Sequence, residues 1–297
     1  MLNTRIYNQA FWNLMRGNGG NYNDLKDGEM DGGYQLPSDN LDDFYKALEK
    51  DNLFRRLACR VNLTQAEGTI HAVTSTGQAS VVEEGNLIPE DGDEISQFPV
   101  KSHKIAGLSK LLKSFVSDNN FNLAKYLTDD FARRFARAEE DLFINGYGLT
   151  NRSGILEAST SIDAGATNTL SYEEIIKLYF GVGAQYRKDA VFIMNDETAF
   201  YLRKLKDDDG NYLWNPNSDR IFGKEVEISP HMPNMESGKQ PILFGDLSYY
   251  WIVERTPLTI KVLNELYSVE GQVGFLGFER VDGRLIRPEA VKTIKMA

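Results

Sequence analysis

Between Phe121 and Leu156 the chain carries a long amphipathic segment that breaks off in Asn145-Gly146-Tyr147-Gly148-Leu149-Thr150-Asn151-Arg152-Ser153-Gly154-Ile155-Leu156. Its apolar residues Ala124, Leu127, Phe131, Phe135, Ala138 and Leu142 recur in steps of three and four, the period of one helix face. That face needs a core. The polar residues between them set Asp129 against Arg133, Asp130 against Arg134 and Arg137 against Asp141, pairs that each add about 0.2–0.5 kcal/mol. Asp118, Asn119 and Asn120 offer caps ahead of the segment, and Gly146 supplies a stop. The spacing predicts one helix from Phe121 to Asn145, roughly 35–40 Å long at about 1.5 Å per residue. Periodicity alone suits a bundle or a large α/β domain equally well.

The 297 residues, 41% hydrophobic and 26% charged, suffice for one large or two ordinary domains with a sizeable core. Sixteen Phe and 14 Tyr argue against disorder, and the run Gly17 to Asn23 reads as a flexible linker. No window approaches a membrane span and the N-terminus lacks an apolar signal core, so a soluble, unexported protein is expected. The single Cys59 excludes an internal disulfide, fits a reducing compartment and is expected in the core. A net charge of -10 disfavours a surface that grips DNA through clustered Lys and Arg, though not a protein that surrounds it.

Taken in order, Met1 to Pro37 reads as an arm. It has a short amphipathic helix on Ile6, Ala10, Phe11 and Leu14, then a glycine-rich stretch without apolar period. A helix from Leu41 to Lys50 follows, with Ser38 or Asn40 as its cap. Val61 to Lys101 changes character: Thr69 to Thr74 and Gln78 to Val82 are β-prone around a Gly77 turn, followed by the acidic patch Glu83, Glu84, Glu90, Asp91, Asp93 and Glu94. Not one Lys or Arg lies between Arg60 and Lys101. A projecting hairpin is expected, or else an exposed acidic loop. Val100 to Phe115 reads as a strand. Ser171 to Tyr186 reads as a helix with a capping box, Ser171 and Glu174. Ala190 to Met194 is a buried strand, with Asn195 capping a helix to about Leu205. Strands are then expected at Lys224–Ile228, Gln240–Gly245, Tyr249–Glu254, Leu258–Val262, Val273–Glu279, Arg284–Ile286 and Ala290–Ile294, with a turn at Asp282-Gly283. Mixed elements without a strict βαβ repeat indicate an α+β class.

No catalytic constellation emerges. His71, His103 and His231 stand apart, with no metal-ligand spacing. Gly146-x-Gly148 lacks the third glycine of a dinucleotide loop and follows a helix. Asp207-x-Asp209-x-Asn211 begins like a calcium loop, but Tyr212 stands where glycine is needed and Ser218 where Glu is needed. Adjacent acids such as Glu83 and Glu84, or Glu139 and Glu140, point in different directions on a strand or helix. No cofactor, metal or enzymatic activity is expected, although carboxylates gathered by folding are invisible at this level.

Local patterns nevertheless recur in a characteristic order. They are Gly32-Gly33-Tyr34-Gln35-Leu36-Pro37, Val82-Glu83-Glu84-Gly85, the helix exit Phe143 to Leu156, Phe192-Ile193-Met194-Asn195, and Leu205-Lys206-Asp207 to Gly210-Asn211-Tyr212-Leu213. Phe222-Gly223-Lys224-Glu225-Val226, Gly245-Asp246-Leu247 to Tyr249-Tyr250, Glu279-Arg280 and Arg287-Pro288-Glu289-Ala290 complete the set. Together, from about Gly32 to Ala290, they resemble the major capsid proteins of tailed bacteriophages, the Hong Kong 97-like fold.

The resemblance implies an N-terminal arm (1–40), an extended loop (61–101) lying over a neighbouring subunit, and an axial domain (157–255). A peripheral domain would be built from 41–60, 102–156 and 256–297 around the spine helix. Pentamers and hexamers of an icosahedral shell would enclose double-stranded DNA without sequence-specific binding. Scaffolding protein or segment, portal and decoration proteins would be partners, with assembly in the host bacterial cytoplasm and the virion capsid as destination. The candidate inter-subunit contacts are Glu83, Glu84, Glu90, Asp91, Asp93, Glu94, Arg133, Arg134, Arg137, Asp207, Asp208 and Asp209. Nothing ahead of Met1 to Arg16 resembles the scaffold segment of some members, so a separate scaffold or a trimmed chain is expected. The type member links its subunits by an isopeptide between a loop Lys and an Asn, assisted by a Glu. This loop has no Lys between Arg60 and Lys101, and the Asn and Glu positions correspond to Gly271 and Phe278, so no self-crosslink is expected. Two rivals stand beside this reading: an encapsulin-like nanocompartment shell that encloses enzymes, and a monomeric α+β enzyme or binding protein.

Overall fold

The computed structural model of the chain describes residues 4–19, 21–63, 67–75, 77, 79–82, 92–118, 120–147, 154–206, 210–212, 214 and 218–297. The chain divides into two compact units. The first comprises Met1–Thr64, Ser102–Ile144 and Ile252–Asp282, and the second Gln65–Lys101, Asn145–Trp251 and Gly283–Ala297.

In the first unit the spine helix runs Leu123–Asn145. It begins two residues later than its apolar period suggests, because the cap is Asn122, whose Oδ1 accepts from the Lys125 amide at 3.0 Å. Asp118 instead turns its carboxylate to the Asn120 amide. Gly146 follows the helix at φ +75°, a left-handed exit that suits glycine. Leu127, Phe131, Phe135 and Leu142 are buried on the helix face, as the period requires, whereas Ala124 is half-buried and Ala138 is exposed, Ala136 being buried instead. That face lies on a sheet ordered Glu29–Met30, Gly33–Gln35, Tyr250–Leu263, Gln272–Leu285 and His103–Leu112, with Cys59–Asn62 paired to Tyr250–Leu263. Gly107 and Gly277 are cross-strand partners, and the Phe131 ring lies over both. A Cβ on Gly277 would sit 2.7 Å from that ring, so the close approach of helix to sheet needs glycine there.

Several expectations are corrected. The N-terminal helix Arg5–Met15 is part of this core, burying Tyr7, Ala10, Phe11 and Met15, while Ile6 is exposed because the buried stripe runs one residue further round. Arg16 fastens the helix by donating to the carbonyls of Val116, Asp118 and Phe121 at 2.8–3.0 Å. The next helix is Ser38–Asp51, with Pro37 at its cap position and no side-chain cap bond. Cys59 is exposed, because its short strand buries little of either face. Tyr250–Leu263 is one strand rather than two: Pro257 removes a donor yet holds an extended-compatible φ. Gln272–Leu285 likewise runs straight through Asp282-Gly283. Gly283 is there for space, since a Cβ would fall 1.8 Å from the hydroxyl of the fully buried Tyr250.

The second unit holds a mixed sheet ordered Thr160–Asp163, Val291–Lys295, Ile242–Gly245, Val191–Met194, Lys224–Ile228 and Arg220–Ile221. Val191–Met194 and Ile242–Gly245 are buried throughout, as a continuous apolar run demands of central strands. Phe192 stacks on Phe244 with ring centroids 4.3 Å apart. The helix Tyr172–Gly181 starts at the reciprocal Ser171/Glu174 capping box and ends short of Tyr186, and Asn195 caps Asp196–Lys204. The last strand, Val291–Lys295, which the resemblance groups with the spine helix, pairs here in the second unit.

Candidate functional site

The hairpin pairs Glu67–Ser75 with Glu94–Lys101, antiparallel. Its returning strand is therefore not Gln78 to Val82, of which 79–82 form no strand. The β-prone residues nearest in sequence are not the partners, because the acidic stretch intervenes between the two strands. Two arginines that follow one another on the chain hold the hairpin base. Arg284 Nε donates to the Pro99 carbonyl at 2.9 Å, and Arg287 donates to the Val73 carbonyl at 3.2 Å. Arg287 also lies over the Tyr249 ring and donates to the Tyr186 hydroxyl, which in turn donates to Glu289 at 3.0 Å. That hydrogen bond with Tyr186 holds the Arg287 pKa above its ordinary value.

Of the acidic candidates, Asp93 and Glu94 are exposed, and Asp93 Oδ1 accepts from the Gly77 amide at 2.9 Å. Glu83, Glu84, Glu90 and Asp91 lie outside the described residues, as do Asp207, Asp208 and Asp209. The last three are bracketed by a Lys206–Tyr212 bridge, with the Lys206 ammonium 4.6 Å from the Tyr212 ring centroid. On the spine helix, Arg134 meets Asp130 at 3.0 Å and donates to the Leu108 carbonyl. Arg133 meets the same Asp130 at 3.8 Å, not Asp129. Arg137 is exposed and has no ion pair among the described residues. No group of His, Cys, Asp and Glu among the described residues is arranged to hold a metal.

The sequence reading missed a buried charge cluster in the first unit. Arg55, 3% exposed, donates from Nε to Glu139 Oε2 at 2.8 Å, and its two terminal nitrogens pair with Glu139 and Glu254. Asn52 caps the short helix Leu53–Leu57 through the Phe54 and Arg55 amides, and its own amide donates to the Ala136 carbonyl and to Glu139. The Tyr45 hydroxyl donates to Glu254 at 3.0 Å, while the Leu53 amide donates to Glu140. Glu279, 2% exposed, completes the set. Burial opposes the charge on Arg55, but Glu139 and Glu254 outweigh it and hold the guanidinium pKa well above its ordinary value. Burial, then the charge of Glu139, push the Glu279 carboxyl well above its ordinary value. Burial and Glu254 raise the Tyr45 phenol. The cluster ties helix, spine and two strands together.

A family model described as the phage capsid family matches residues 32–296. Among solved structures, the chain is similar to the capsid of an empty GTA particle computed with C5 symmetry. Identity is 27% over 83% of this chain and 90% of that one, with a TM-score of 0.70. It also shares its fold with chains from Microbacterium phage Oxtober96 (13% identity, 83% and 91% covered, TM-score 0.60) and Gordonia phage Cozz (14%, 83% and 86%, 0.59). A search of curated proteins gave no match.

Proposed function

Because the chain belongs to the phage capsid family and is a major capsid protein whose copies form an icosahedral shell, we propose that those copies are grouped as pentamers and hexamers around double-stranded DNA. The family match over residues 32–296 carries this reading. In it, the first unit corresponds to the peripheral part built on the spine helix, the sheet of the second unit to the axial part, and the hairpin to the loop that reaches a neighbouring subunit. Scaffolding, portal and decoration proteins are the further partners, and the shell needs no cofactor. A net charge of -10 suits a wall that encloses DNA without gripping it.

Electron microscopy of the purified protein is the test. Closed particles are expected, and those recovered from a producing host should protect double-stranded DNA from nuclease. Boiled in detergent, they should run as single chains, since the loop has no Lys between Arg60 and Lys101 and Gly271 stands at the Asn position. A species that stays at the monomer mass of 33.6 kDa at high concentration would overturn the shell. Protein cargo without DNA would overturn the enclosed content, and a covalent ladder the missing crosslink.

The acidic hairpin residues Glu83, Glu84, Glu90, Asp91, Asp93 and Glu94 are proposed to meet Lys or Arg of an adjacent copy, because their own segment offers none. Arg133, Arg134, Arg137 and Asp207 to Asp209 are proposed as further contacts. Glu83→Lys combined with Glu84→Lys should slow assembly and change its salt dependence, read by light scattering across a salt series. Unchanged kinetics at every salt concentration would sink this contact.

A further inference from the structure

Within the second unit, the helices Tyr172–Gly181 and Asp196–Lys204 and the strand Arg220–Ile221 leave a cavity of about 150 Å³ between them. Its walls are largely apolar: Ile175, Leu202 and Ile221 are buried and Leu205 is half-buried. Trp214 forms a fixed side, since its Nε1 donates to the Ser218 carbonyl at 2.8 Å and the Arg203 guanidinium lies 4.4 Å from its ring centroid. With that donor engaged, the indole offers the cavity apolar surface alone. Phe222 closes another side at a cost in backbone strain. It sits at φ +51°, followed by Gly223 at φ +76°, in the two-residue turn between the paired residues Ile221 and Lys224. Such turns favour Asn, Asp or Gly at the first position. A phenylalanine held there is the kind of strain that gathers at ligand sites. It sets the ring centroid 5.5 Å from that of Tyr172 and 5.1 Å from that of Tyr179, at the edge of the cavity.

Two polar groups interrupt these walls. The Tyr172 hydroxyl has no hydrogen-bond partner among the described residues, and burial raises the phenol above its ordinary pKa. Arg220 is exposed and spends one terminal nitrogen on Glu225 at 3.0 Å. A surface pair of that kind contributes little and leaves the other guanidinium N–H groups free to donate. A dry apolar cavity of this size accepts a benzene ring. A few convergent polar groups on apolar walls are what fix the orientation of a small ligand. We propose that the cavity binds a small monocyclic aromatic carboxylate. Its ring packs on Ile175, Leu202, Leu205 and Trp214, and its carboxylate accepts from Arg220 and from the Tyr172 hydroxyl. The site belongs to a single copy and is independent of the shell reading.

Benzoate and its uncharged counterpart benzyl alcohol are the probes, titrated into the purified full chain and followed by ligand-observed NMR. Benzoate should saturate with a midpoint below about 1 mM, and benzyl alcohol more weakly. Leu205→Trp, at a half-buried position with room for the larger ring, should fill the cavity and weaken both probes about ten-fold or more. Arg220→Gln, at an exposed position, should weaken benzoate about ten-fold and leave benzyl alcohol unchanged. Glu225→Gln should tighten benzoate, because it releases Arg220 and removes a like charge. The two surface variants decide the matter even where Leu205→Trp fails to fold. Benzoate that does not saturate by about 20 mM would overturn the site. So would undiminished binding to folded Leu205→Trp, equal effects of Arg220→Gln on the two probes, or weaker benzoate binding in Glu225→Gln.

Discussion

Arg55→Met should destabilise the unassembled chain by about 3–5 kcal/mol, the usual cost of removing one partner from a buried ion pair. Among the described residues Arg55 is the one cation set against Glu139, Glu254 and Glu279, and the variant would leave Glu139 buried without its paired guanidinium. Asn52 would remain as a single donor to Glu139 at 3.2 Å, too little to replace the paired guanidinium. Arg55→Lys should recover little of the loss, because an ammonium cannot present the Nε and terminal nitrogens to one carboxylate. Converting the cluster as a whole, with Arg55→Met, Glu139→Leu, Glu254→Met and Glu279→Met, should lie closer to wild type than Arg55→Met does. Desolvation of the charges absorbs most of what their attraction supplies. Urea denaturation of wild type and the three variants decides the matter. A loss below about 1 kcal/mol for Arg55→Met would place the cluster among ordinary surface pairs.

Neither Arg55 nor its partners can be singled out from the sequence. Arg55 sits in Leu53-Phe54-Arg55-Arg56-Leu57, where two adjacent bases look alike, and only the fold buries one and leaves the other at the surface. Its acids arrive from the spine helix and from two strands far along the chain. Local signals fared better. The Ser171/Glu174 box, the Asn195 cap and the spacing of Leu127, Phe131 and Phe135 were legible because each rests on contacts within a turn or two of helix. The hairpin partner was not, since pairing of Glu67–Ser75 with Glu94–Lys101 closes over a long acidic stretch that local propensity does not see. Asp282-Gly283 misled for a related reason. Glycine there makes room for Tyr250 rather than for a turn, and the two meanings look identical until the neighbouring strand is in place.

Glu279→Gln should make the chain more resistant to alkaline conditions than wild type. The Glu279 carboxyl is hydrogen-bonded to Glu139, and one of its oxygens has no hydrogen-bond partner among the described residues. The titratable groups facing it are Glu139, Arg55 and Glu254, with Tyr45 beyond, and three acids against one base favour a retained proton. Burial first, and then Glu139, raise its folded-state value well above the ordinary 4.5, whereas the unfolded chain titrates near that ordinary value. Below it both states are protonated, and the contribution of the group is fully present. As pH rises from there to the folded value, only the unfolded chain releases a proton, so stability falls by about 1.4 kcal/mol per pH unit. Above the folded value the contribution is gone. Glutamine cannot ionise and can still donate to Glu139, so the variant should track wild type near pH 4 and pull ahead of it steadily above about pH 5. The paired acids elsewhere bend both curves alike, which is why the difference between the two chains carries the information. Denaturation midpoints measured across pH 4–9 on unassembled protein would show it. Curves that stay parallel throughout would mean that Glu279 gives up its proton at the ordinary value.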